Sequence, residues 1–438
     1  MPKITMIGAG SIVFAKRLMC DILSFPELED SVIAFMDIDR EKVDLISRLA
    51  RKLVAQEGLP ARIESTVDRR EALGGADYVL TMFRVGGMDA VRPDIEIPLR
   101  YGVDQAVGDT IGPGGVFYGL RHIPLVIDIC RDIEEQCPDA VLMNYANPMA
   151  SLCWAVNAAT KVKCVGLCHS VQGTATQLAR YINAPFEEVS YWAAGINHMD
   201  WFLTFEWNGQ DAYPLLRKAM EDRDIYGKDK VRFEIMRHFG YFVSESSGHS
   251  SEYMPYFRKT PELIERFSQR SARDRDMARY EARRDAYHEA IRQQVASDER
   301  IEFERTHEYC ARIIHALETN TTYRFSGNVA NRGLIANLPE GCTVEVPCLV
   351  DGTGIHPCYI GDLPPQCAAL NRTNINVQSL TVKAALDGDR EAAYRAAAVD
   401  PLSSAVLTLD EIHHMVDELF EASAPWLPSS LKGNSRKL

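Results

Sequence analysis

Two side chains that can bind a transition metal, Cys168 and His198, lie in the middle of the chain. Cys168 follows a short apolar run that is typical of a strand. A thiolate and an imidazole, with substrate oxygens completing the coordination shell, suit a borderline divalent ion such as Mn²⁺, Co²⁺, Ni²⁺ or Fe²⁺. For a cysteine or a histidine taken alone, a buried thiol and a core histidine are the commoner arrangements. The pair is therefore a hypothesis that needs support from the rest of the chain.

The amino-terminal segment has the form of a turn that binds a dinucleotide. A β-rich run at 3–7 leads into Gly8, Gly10 and Ser11, and a helical stretch follows. Gly8 permits a tight turn, and Gly10 lets the backbone approach a pyrophosphate, whose charge suits the amino end of the next helix. The third glycine of the GxGxxG pattern is absent, because Val13 stands in its place. Alone, the glycine pair is also compatible with an ordinary turn.

An acidic residue after the second predicted strand strengthens the dinucleotide interpretation. The apolar run at 32–36 ends at Asp37. A carboxylate at this position accepts a hydrogen bond from the ribose 2′-hydroxyl and repels a 2′-phosphate. Together with the glycine turn, Asp37 therefore predicts binding of NAD in preference to NADP.

Three further polar residues lie where a cofactor or a sugar could reach them. Asp109 opens a glycine-rich loop in front of a predicted helix, so its carboxylate and the loop amides could bind a polyhydroxylated ligand. Asn144 and Asn147 follow a predicted strand, where an Asn amide can bond cofactor ribose or substrate hydroxyls. The alternatives are a structural turn for the loop and a helix cap for Asn147.

Short apolar strands alternate with amphipathic helices up to about residue 190. The predicted strands are 3–7, 32–36, 62–65, 78–82, 140–143 and 164–167, and the predicted helices include 40–57, 116–137 and 149–160. This alternation is typical of a parallel sheet covered on both faces, and ligands bind such sheets beyond the carboxyl ends of the strands. We expect an α/β fold with a Rossmann-like doubly wound parallel sheet, and an NAD-binding domain at residues 1–190.

The remainder of the chain predicts a mixed α+β domain. Longer helices are expected at 211–239 and 261–317, and the charges between Arg266 and Arg305 suggest a solvated helix face or a subunit contact. Glycine, asparagine and proline interrupt short Val/Ile runs over 321–380, which indicates a small sheet or long loops, and a helical region follows at 384–419. Residues 191–438 are expected to provide the substrate and metal site and the oligomer contacts.

The charge and cysteine content of the chain exclude several classes of partner. Over 438 residues, 48 Lys and Arg oppose 61 Asp and Glu, a formal charge of −13 that repels nucleic-acid phosphates and anionic lipids. No apolar run approaches the ~18 residues of a membrane span. The 11 cysteines lack CxxC pairing, and the amino terminus has no signal-peptide pattern. We expect a cytoplasmic protein with mostly buried free thiols and no nucleic-acid or membrane partner.

A series of segments resembles family 4 glycoside hydrolases, in the order in which that family has them. They are GAGS at 8–11, MDID at 36–39, GPGG at 112–115, NYANP at 144–148, GLCHSVQGT at 166–174 and GINHM at 195–199. The similarity continues through YFVSESS at 241–247, EVPCLVD at 345–351, TNINVQ at 373–378 and WLP at 426–428, so it covers nearly the whole chain. The Cys-His-Ser-Val form at 168–171 resembles the α-galactosidase (melibiase) branch.

The resemblance implies a glycosidase that uses NAD⁺ and a divalent metal, Mn²⁺ or one of its neighbours, in place of the usual two carboxylates. In this route C3 of the sugar is oxidised, C2 loses a proton, the leaving group departs from C1, water adds, and C3 is reduced again. Cys168 and His198 look like the family's metal pair. Tyr253 matches the base for the C2 proton, with Tyr256 as its competitor. His169 corresponds by position to the acid at the leaving oxygen, although phospho-α-glucosidase relatives carry Asp there.

The implied substrate is a small α-linked galactoside such as melibiose. Within the family the alternative is a uronide, for an α-galacturonidase or α-glucuronidase, and Arg84 and Arg92 are candidate cations near C6. Outside the family, an NAD-dependent 2-hydroxyacid dehydrogenase shares the domain plan, and a non-enzymatic NAD sensor is a third class. The resemblance also implies a homodimer or a homotetramer.

Overall fold

Twelve strands form one continuous sheet in the computed structural model, which describes residues 1–267, 271–272 and 277–432. The strands are β1 (Lys3–Ile7), β2 (Val32–Met36), β3 (Arg62–Thr66), β4 (Tyr78–Thr81), β5 (Val141–Asn144), β6 (Lys163–Gly166), β7 (Val189–Ile196), β8 (Met199–Trp207), β9 (Gln210–Asp211), β10 (Tyr323–Ala330), β11 (Thr343–Asp351) and β12 (Gly354–Pro357).

The first six strands are parallel, in the order β3-β2-β1-β4-β5-β6. Ile4 of β1 lies opposite Ile33 of β2, and Met6 lies opposite Leu80 of β4. All five residues of β2 are buried, as expected of a strand that is covered on both faces. The predicted doubly wound parallel sheet is confirmed.

The remaining strands extend the same sheet through antiparallel pairs. β10 pairs with β6 and β11, β11 pairs with β7 and β12, and β7 and β8 form a hairpin. β10 meets β6 where Asn328 pairs with Gly166. A Cβ added at Gly166 would lie 2.7 Å from Cys153 Sγ and 2.9 Å from Asn328 Cβ, so only glycine fits this junction. The domain boundary at 190 stays a proposal, and it falls inside β7.

Eighteen α-helices lie within the described residues. They are α1 (Ile12–Leu23), α2 (Arg40–Glu57), α3 (Arg69–Leu73), α4 (Gly87–Arg100), α5 (Gly112–Gln136), α6 (Met149–Ala159), α7 (Ser170–Tyr181), α8 (Tyr213–Ala219), α9 (Arg223–Lys228), α10 (Lys230–Phe239), α11 (Ser247–Ser250), α12 (Pro261–Phe267), α13 (Met277–Ala296), α14 (Tyr309–Thr319), α15 (Pro365–Asp387), α16 (Arg390–Val399), α17 (Pro401–Val406) and α18 (Leu409–Ser423). None of these helices combines the length and the apolar character that crossing a membrane requires.

The long helices predicted after residue 210 are wrong in extent. The first, at 211–239, is β9 followed by α8, α9 and α10, because Asp222 caps a new helix by accepting the Asp224 N–H at 2.8 Å. The second, at 261–317, is interrupted between α13 and α14, where the Thr306 hydroxyl donates to Asp21 at 2.6 Å. Residues 268–270 and 273–276, which belong to the same prediction, lie outside the described residues.

The described charged side chains of α13 are largely exposed, as expected of a solvated helix face. The helix lies beside α2, and Arg292 Nη2 lies 2.5 Å from a carboxylate oxygen of Glu41. Such exposed ion pairs contribute little to stability.

The region at 321–380 contains the predicted small sheet, but its last part is helical. α15 begins at Pro365, well before the helix expected at 384. Its asparagines bond distant groups: Asn371 Oδ1 accepts the Trp201 indole N–H at 2.8 Å, and Asn374 Nδ2 donates to the Tyr253 carbonyl at 3.1 Å. These tertiary contacts outweigh the weak helix propensity of asparagine.

Candidate active site

The glycine turn after β1 packs closely against the ends of the neighbouring strands. Gly8 has a φ of +88°, and a Cβ added there would lie 2.7 Å from the Phe83 amide nitrogen. The Gly10 N–H donates to Asp37 Oδ2 at 2.8 Å, and an added Cβ would lie 2.5 Å from the same oxygen. Asp37 Oδ1 accepts a second N–H, from Asp39, at 3.0 Å. The predicted glycines and Asp37 therefore form one unit at the ends of β1 and β2.

The start of α1 is suited to an anion. Ser11 is the N-cap, its side chain makes no capping bond, and the first turn contains no acidic residue. The amide groups of this turn carry the positive end of the helix dipole, which attracts phosphate. The turn and the helix start thus fit a dinucleotide, and the individual roles of Gly8, Gly10, Ser11 and Asp37 stay predictions.

Asn144, the last residue of β5, is built into the sheet. Its side chain is buried, Oδ1 accepts from the Thr81 hydroxyl at 2.8 Å and from the Ala146 N–H at 3.1 Å, and Nδ2 donates to the Ala146 carbonyl at 2.9 Å. A cofactor contact by this amide must replace one of these bonds. The amide shapes the turn that leads to Asn147.

Asp109 and Asn147 come together from distant parts of the chain. Asn147 Nδ2 lies 3.5 Å from Asp109 Oδ1, and that oxygen also accepts the Thr110 hydroxyl at 2.7 Å. The N-cap of α6 is Pro148, which follows Asn147 through a cis peptide bond. The helix-cap alternative for Asn147 is therefore wrong, and its amide faces a carboxylate instead.

Cys168 and His198 are placed by strands of the same sheet. Cys168 follows β6, and His198 lies in the two-residue turn between β7 and β8 with a φ of +65°, which is uncommon for a residue other than glycine. Burial, followed by the carboxylates of Glu345 and Glu245, raises the pKa of the Cys168 thiol. The protein alone therefore favours the neutral thiol, and a thiolate here needs a cation beside it.

The His198 ring is held through one nitrogen. Nδ1 lies 3.1 Å from the Tyr253 hydroxyl and 3.0 Å from His249 Nε2. Among the described residues both contacts use Nδ1, which leaves Nε2 for a ligand. Burial lowers the pKa of His198 to about 4, so the ring is neutral near pH 7 and can donate a lone pair to a metal.

Tyr253 lies beside His198, the candidate metal ligand. It is 1% exposed and bonds His198, whereas Tyr256 is 44% exposed and packs on Phe239 with ring centroids 6.0 Å apart. Burial, followed by the carboxylates of Glu252 and Glu245, raises the pKa of Tyr253 well above its ordinary value. The geometry supports Tyr253 over Tyr256, and a phenolate requires added positive charge in the site.

His169, the N-cap of α7, is exposed next to Cys168. Its side chain is 76% exposed, and Nδ1 lies 3.7 Å from a carboxylate oxygen of Glu308. Burial raises the pKa of Glu308. A solvent-accessible imidazole can exchange protons with water, which suits an acid at a leaving group, and this role stays a prediction.

Three residues of the site were not found from the sequence: Glu245, His249 and Glu252. Glu245 has a φ of +74°, and although burial opposes it, the neighbouring His198 and His249 lower its pKa to about 2. Burial also opposes a charged His249, but Glu252 and Glu245 raise its pKa to about 9. The only signal within the segment is the short spacing, because His249 precedes Glu252 and Tyr253 by three and four residues, in α11 and the turn that follows it.

The two candidate cations for a uronide make other contacts. Arg92 lies on α4 with its side chain 43% exposed, 3.5 Å from Glu96 and 3.8 Å from Glu281. Arg84 Nε donates to the Tyr118 hydroxyl at 2.9 Å. Arg92 therefore lies beside surface carboxylates, and no contact places it with Cys168 and His198 among the described residues.

The candidate metal site has too few protein ligands to fill a coordination shell by itself. Within residues 1–267, 271–272 and 277–432, no group of three or more His, Cys, Asp or Glu side chains is arranged to hold a metal ion. Two donors of the thiol and imidazole type suit a borderline divalent ion whose other positions are filled by substrate oxygens or water. The donor set thus fits a metal that contacts the substrate.

Two family models match the chain in succession. The Family 4 glycosyl hydrolase model matches residues 3–184, and the Family 4 glycosyl hydrolase C-terminal domain model matches residues 193–403. An alpha-galactosidase of Bacillus subtilis is 43% identical over 98% of this chain and 99% of its own length. An alpha-galactosidase of Rhizobium meliloti is 41% identical over 97% of this chain and 89% of its own length.

Solved structures share the architecture. A 6-phospho-beta glucosidase from Thermotoga maritima, solved with manganese, NAD⁺ and glucose-6-phosphate, has a TM-score of 0.79 at 22% identity, covering 97% of this chain and 99% of that one. A malate dehydrogenase from Plasmodium falciparum in complex with NADH has a TM-score of 0.52 at 14% identity, covering 88% and 99%.

The parallel sheet and its glycine turn define a protein of the dinucleotide-binding α/β class, with the fold also seen in malate dehydrogenase. The two family models cover most of the sequence, and the chain belongs to family 4 of the glycosyl hydrolases. The resemblance found in the sequence is confirmed.

Proposed function

We propose that the chain is an α-galactosidase that hydrolyses small α-linked galactosides, such as melibiose, with NAD⁺ and a divalent metal ion, Mn²⁺ being the first choice. The main supporting observation is the 3.1 Å bond between the Tyr253 hydroxyl and Nδ1 of His198, the candidate metal histidine, which leaves Nε2 for the metal ion. The α-galactosidases that are 43% and 41% identical support the substrate class. The family structure solved with manganese and NAD⁺ supports the cofactors.

The side chains of the site divide the proton transfers between them. When bound, NAD⁺ would supply a reversible hydride acceptor for the sugar, and a metal ion held by Cys168 and His198 would supply a Lewis acid for sugar oxygens. Tyr253 takes the proton from C2, which is acidic once C3 is a ketone. His169 gives a proton to the oxygen that leaves C1. Asn147 and Asp109 hold sugar hydroxyls, since their amide and carboxylate lie 3.5 Å apart.

The charge of the site determines when Tyr253 can act. Burial and two carboxylates raise its pKa, so without cofactors the phenol keeps its proton at neutral pH. Positive charge from the metal ion and the oxidised nicotinamide acts in the opposite direction. The base is therefore active only in the loaded enzyme, which prevents proton abstraction by an incomplete site.

A galactoside is preferred to a uronide because Arg92, one of the two candidate cations for a C6 carboxylate, is paired with surface carboxylates. The chain is further proposed to act in the cytoplasm, as a homodimer or homotetramer. All 11 cysteines are free thiols, and a thiolate ligand such as Cys168 is lost on oxidation. Residues 1–190 are proposed to bind NAD and residues 191–438 to complete the substrate and metal site.

The test is hydrolysis of p-nitrophenyl α-galactoside by protein stripped of nucleotide and metal, with NAD⁺, Mn²⁺ and reductant added back singly and together. We expect release of p-nitrophenol only with all of them, and no net NADH. Cys168→Ser should raise the Mn²⁺ concentration for half-maximal rate by at least about tenfold, whereas Cys358→Ser, at another partly exposed thiol, should leave it unchanged. Hydrolysis indifferent to NAD⁺ and Mn²⁺ contradicts the mechanism, and faster cleavage of the matching α-galacturonide contradicts the substrate.

A further inference from the structure

A series of buried polar contacts lies behind His198, on the side away from Nε2. His249 Nε2 lies 3.0 Å from His198 Nδ1, and His249 Nδ1 lies 3.6 Å from Glu252 Oε2. Glu252 in turn accepts the N–H groups of Val107 at 2.6 Å and Gly108 at 3.2 Å. His249 and Glu252 are almost fully buried. The reaction steps above use neither residue.

We propose that His249 is a positioning residue that fixes the orientation of the His198 ring for metal binding. Glu252, in turn, holds His249 and the loop carrying Asp109 in place relative to that ring. This inference rests on the proposed function, because it assumes that His198 binds the metal ion. It adds two residues to the site, and it links the metal side of the site to the sugar side.

The His198 ring needs support from side chains because of where it stands. A residue in a two-residue turn has no neighbouring strand on either side to restrain its ring, and the left-handed backbone of His198 turns it away from the regular alternation of the sheet. A metal-binding imidazole is oriented by the hydrogen bond at its other nitrogen, and loss of that partner commonly weakens metal binding by about 10- to 100-fold.

A metal ion on Nε2 places the proton of His198 on Nδ1, so the partner at Nδ1 must accept a hydrogen bond, and positive charge from the metal ion opposes protonation of His249. Of the two groups that bond Nδ1, only His249 can serve as this acceptor throughout the reaction. The Tyr253 oxygen is the proposed acceptor of the C2 proton, so its bond to His198 changes during every turnover. His249 takes no part in the proton transfers and is fixed in turn by Glu252 and by the single-turn helix α11, in which its N–H donates to the Ser246 hydroxyl oxygen at 3.4 Å. His249 is therefore the constant partner.

The contacts of Glu252 explain how the loop between α4 and α5 is held to the same segment. The two amides that it binds immediately precede Asp109, a proposed sugar ligand. A second buried contact joins the same parts of the chain, because Arg258 Nη2 lies 2.7 Å from Asp104 Oδ1. The loop is thus fastened at two points to residues 252–258, which follow His249.

The experiment compares His249→Gln with His249→Asn. The amide of Gln reaches the place of the ring Nε2 and can still bond His198, whereas the amide of Asn corresponds to Nδ1 and cannot. Mn²⁺ affinity is measured by the EPR signal of free Mn²⁺ in the presence of NAD⁺, without sugar. We expect the dissociation constant to rise by about 10- to 100-fold for His249→Asn and by less than about threefold for His249→Gln. NAD⁺ affinity should stay within twofold of wild type in both.

Equal Mn²⁺ affinity in wild type and folded His249→Asn overturns the proposal, and so does an equal loss in the two variants, because a merely structural role would not distinguish Gln from Asn. If His249→Asn does not fold, Glu252→Gln decides. Gln removes the negative charge beside His249 and replaces one acceptor oxygen by an NH₂ group, so it cannot accept from Val107, Gly108 and His249 together, and the Mn²⁺ dissociation constant should rise by at least about threefold. An unchanged constant in Glu252→Gln overturns the proposal.

The Mn²⁺ measurement separates this inference from the proposed function. A wild-type protein that binds Mn²⁺ and loses affinity in His249→Asn, but does not hydrolyse α-galactosides, contradicts the proposed substrate and leaves the positioning role intact. A wild-type protein that does not bind Mn²⁺ in the presence of NAD⁺ overturns both.

Discussion

Alanine in place of Gly10 tests the dinucleotide site at its tightest contact. The added Cβ would lie 2.5 Å from Asp37 Oδ2, 2.9 Å from Asp37 Cγ and 3.0 Å from Lys42 Cδ. Real Cβ atoms essentially never approach another atom within 3.0 Å, so the carboxylate must shift. Asp37 is only partly buried and can turn outward, which allows the protein to fold while its carboxylate leaves the turn.

The magnitude follows from the bonds that this movement breaks. The Gly10 N–H loses its acceptor at 2.8 Å, and the ribose of NAD⁺ loses the carboxylate that we predict as its partner. A hydrogen bond to a charged group contributes about 1.5–3 kcal/mol. At about 1.4 kcal/mol for each tenfold change, loss of the ribose bond raises the dissociation constant of NAD⁺ roughly 10- to 150-fold.

The assay is isothermal titration of NAD⁺ into Gly10→Ala and into a matched variant, Gly227→Ala on α9. A Cβ added at Gly227 meets no atom within 4 Å, so we expect its NAD⁺ affinity to equal that of wild type within about twofold. Circular dichroism establishes that both variants are folded. A folded Gly10→Ala protein whose dissociation constant lies within about threefold of wild type refutes the placement of the ribose at Asp37.

Three further predictions concern the base, the core and the response to acid. Tyr253→Phe keeps the ring but removes the phenol, so exchange of the sugar C2 hydrogen with D₂O, followed by NMR, should fall at least about 100-fold; retained exchange moves the base elsewhere. Asp94→Asn leaves the fully buried Arg121 without its counter-charge and should lower the free energy of unfolding in urea by about 3–5 kcal/mol, and a loss below about 1 kcal/mol contradicts this. Burial lowers the pKa of His122 from its ordinary 6.5 to about 3. Between these two pH values the unfolded chain binds a proton that the folded protein excludes, so the free energy of unfolding decreases as the pH falls, by up to about 1.4 kcal/mol per pH unit. His122→Gln should flatten that part of the profile relative to wild type, and an identical slope speaks against the assignment.

The amino-terminal half could be predicted because its signals are local. β2 is an uninterrupted apolar run that is buried at every position, and α2 has the bounds that its periodicity predicts, with Asp39 capping it by accepting the Lys42 N–H. The glycine turn and Asp37 were recognised for the same reason, because each follows a strand that the sequence displays clearly.

The second half could not be predicted in the same way, because its elements depend on distant partners. The second half of β7 contains Ala193, Ala194 and Gly195, which have low strand propensity, and the strand is held by β8 and β11 on either side. α15 contains asparagines that bond groups from β8 and from the loop after α11. Neither feature leaves a periodic pattern in its own segment.

The site shows the same division. Cys168 was proposed because it follows a strand, and Tyr253 because its segment resembles the family. His249 and Glu252 were missed because their contacts are made with His198, Val107 and Gly108, which are far away in sequence. A role that consists of holding another side chain is visible only when both partners are in place.

The glycine at the junction of β6 and β10 limits how the family can be recombined. Enzymes with a new sugar preference are often sought by joining the first half of one relative to the second half of another. In this chain such a cut leaves Gly166 with one parent and Asn328, whose Cβ lies 2.9 Å from where a side chain at 166 would begin, with the other. A chimaera therefore keeps its sheet closed only if both parents share this close contact, and sequence exchange should be planned around that pair rather than around the loop at 190.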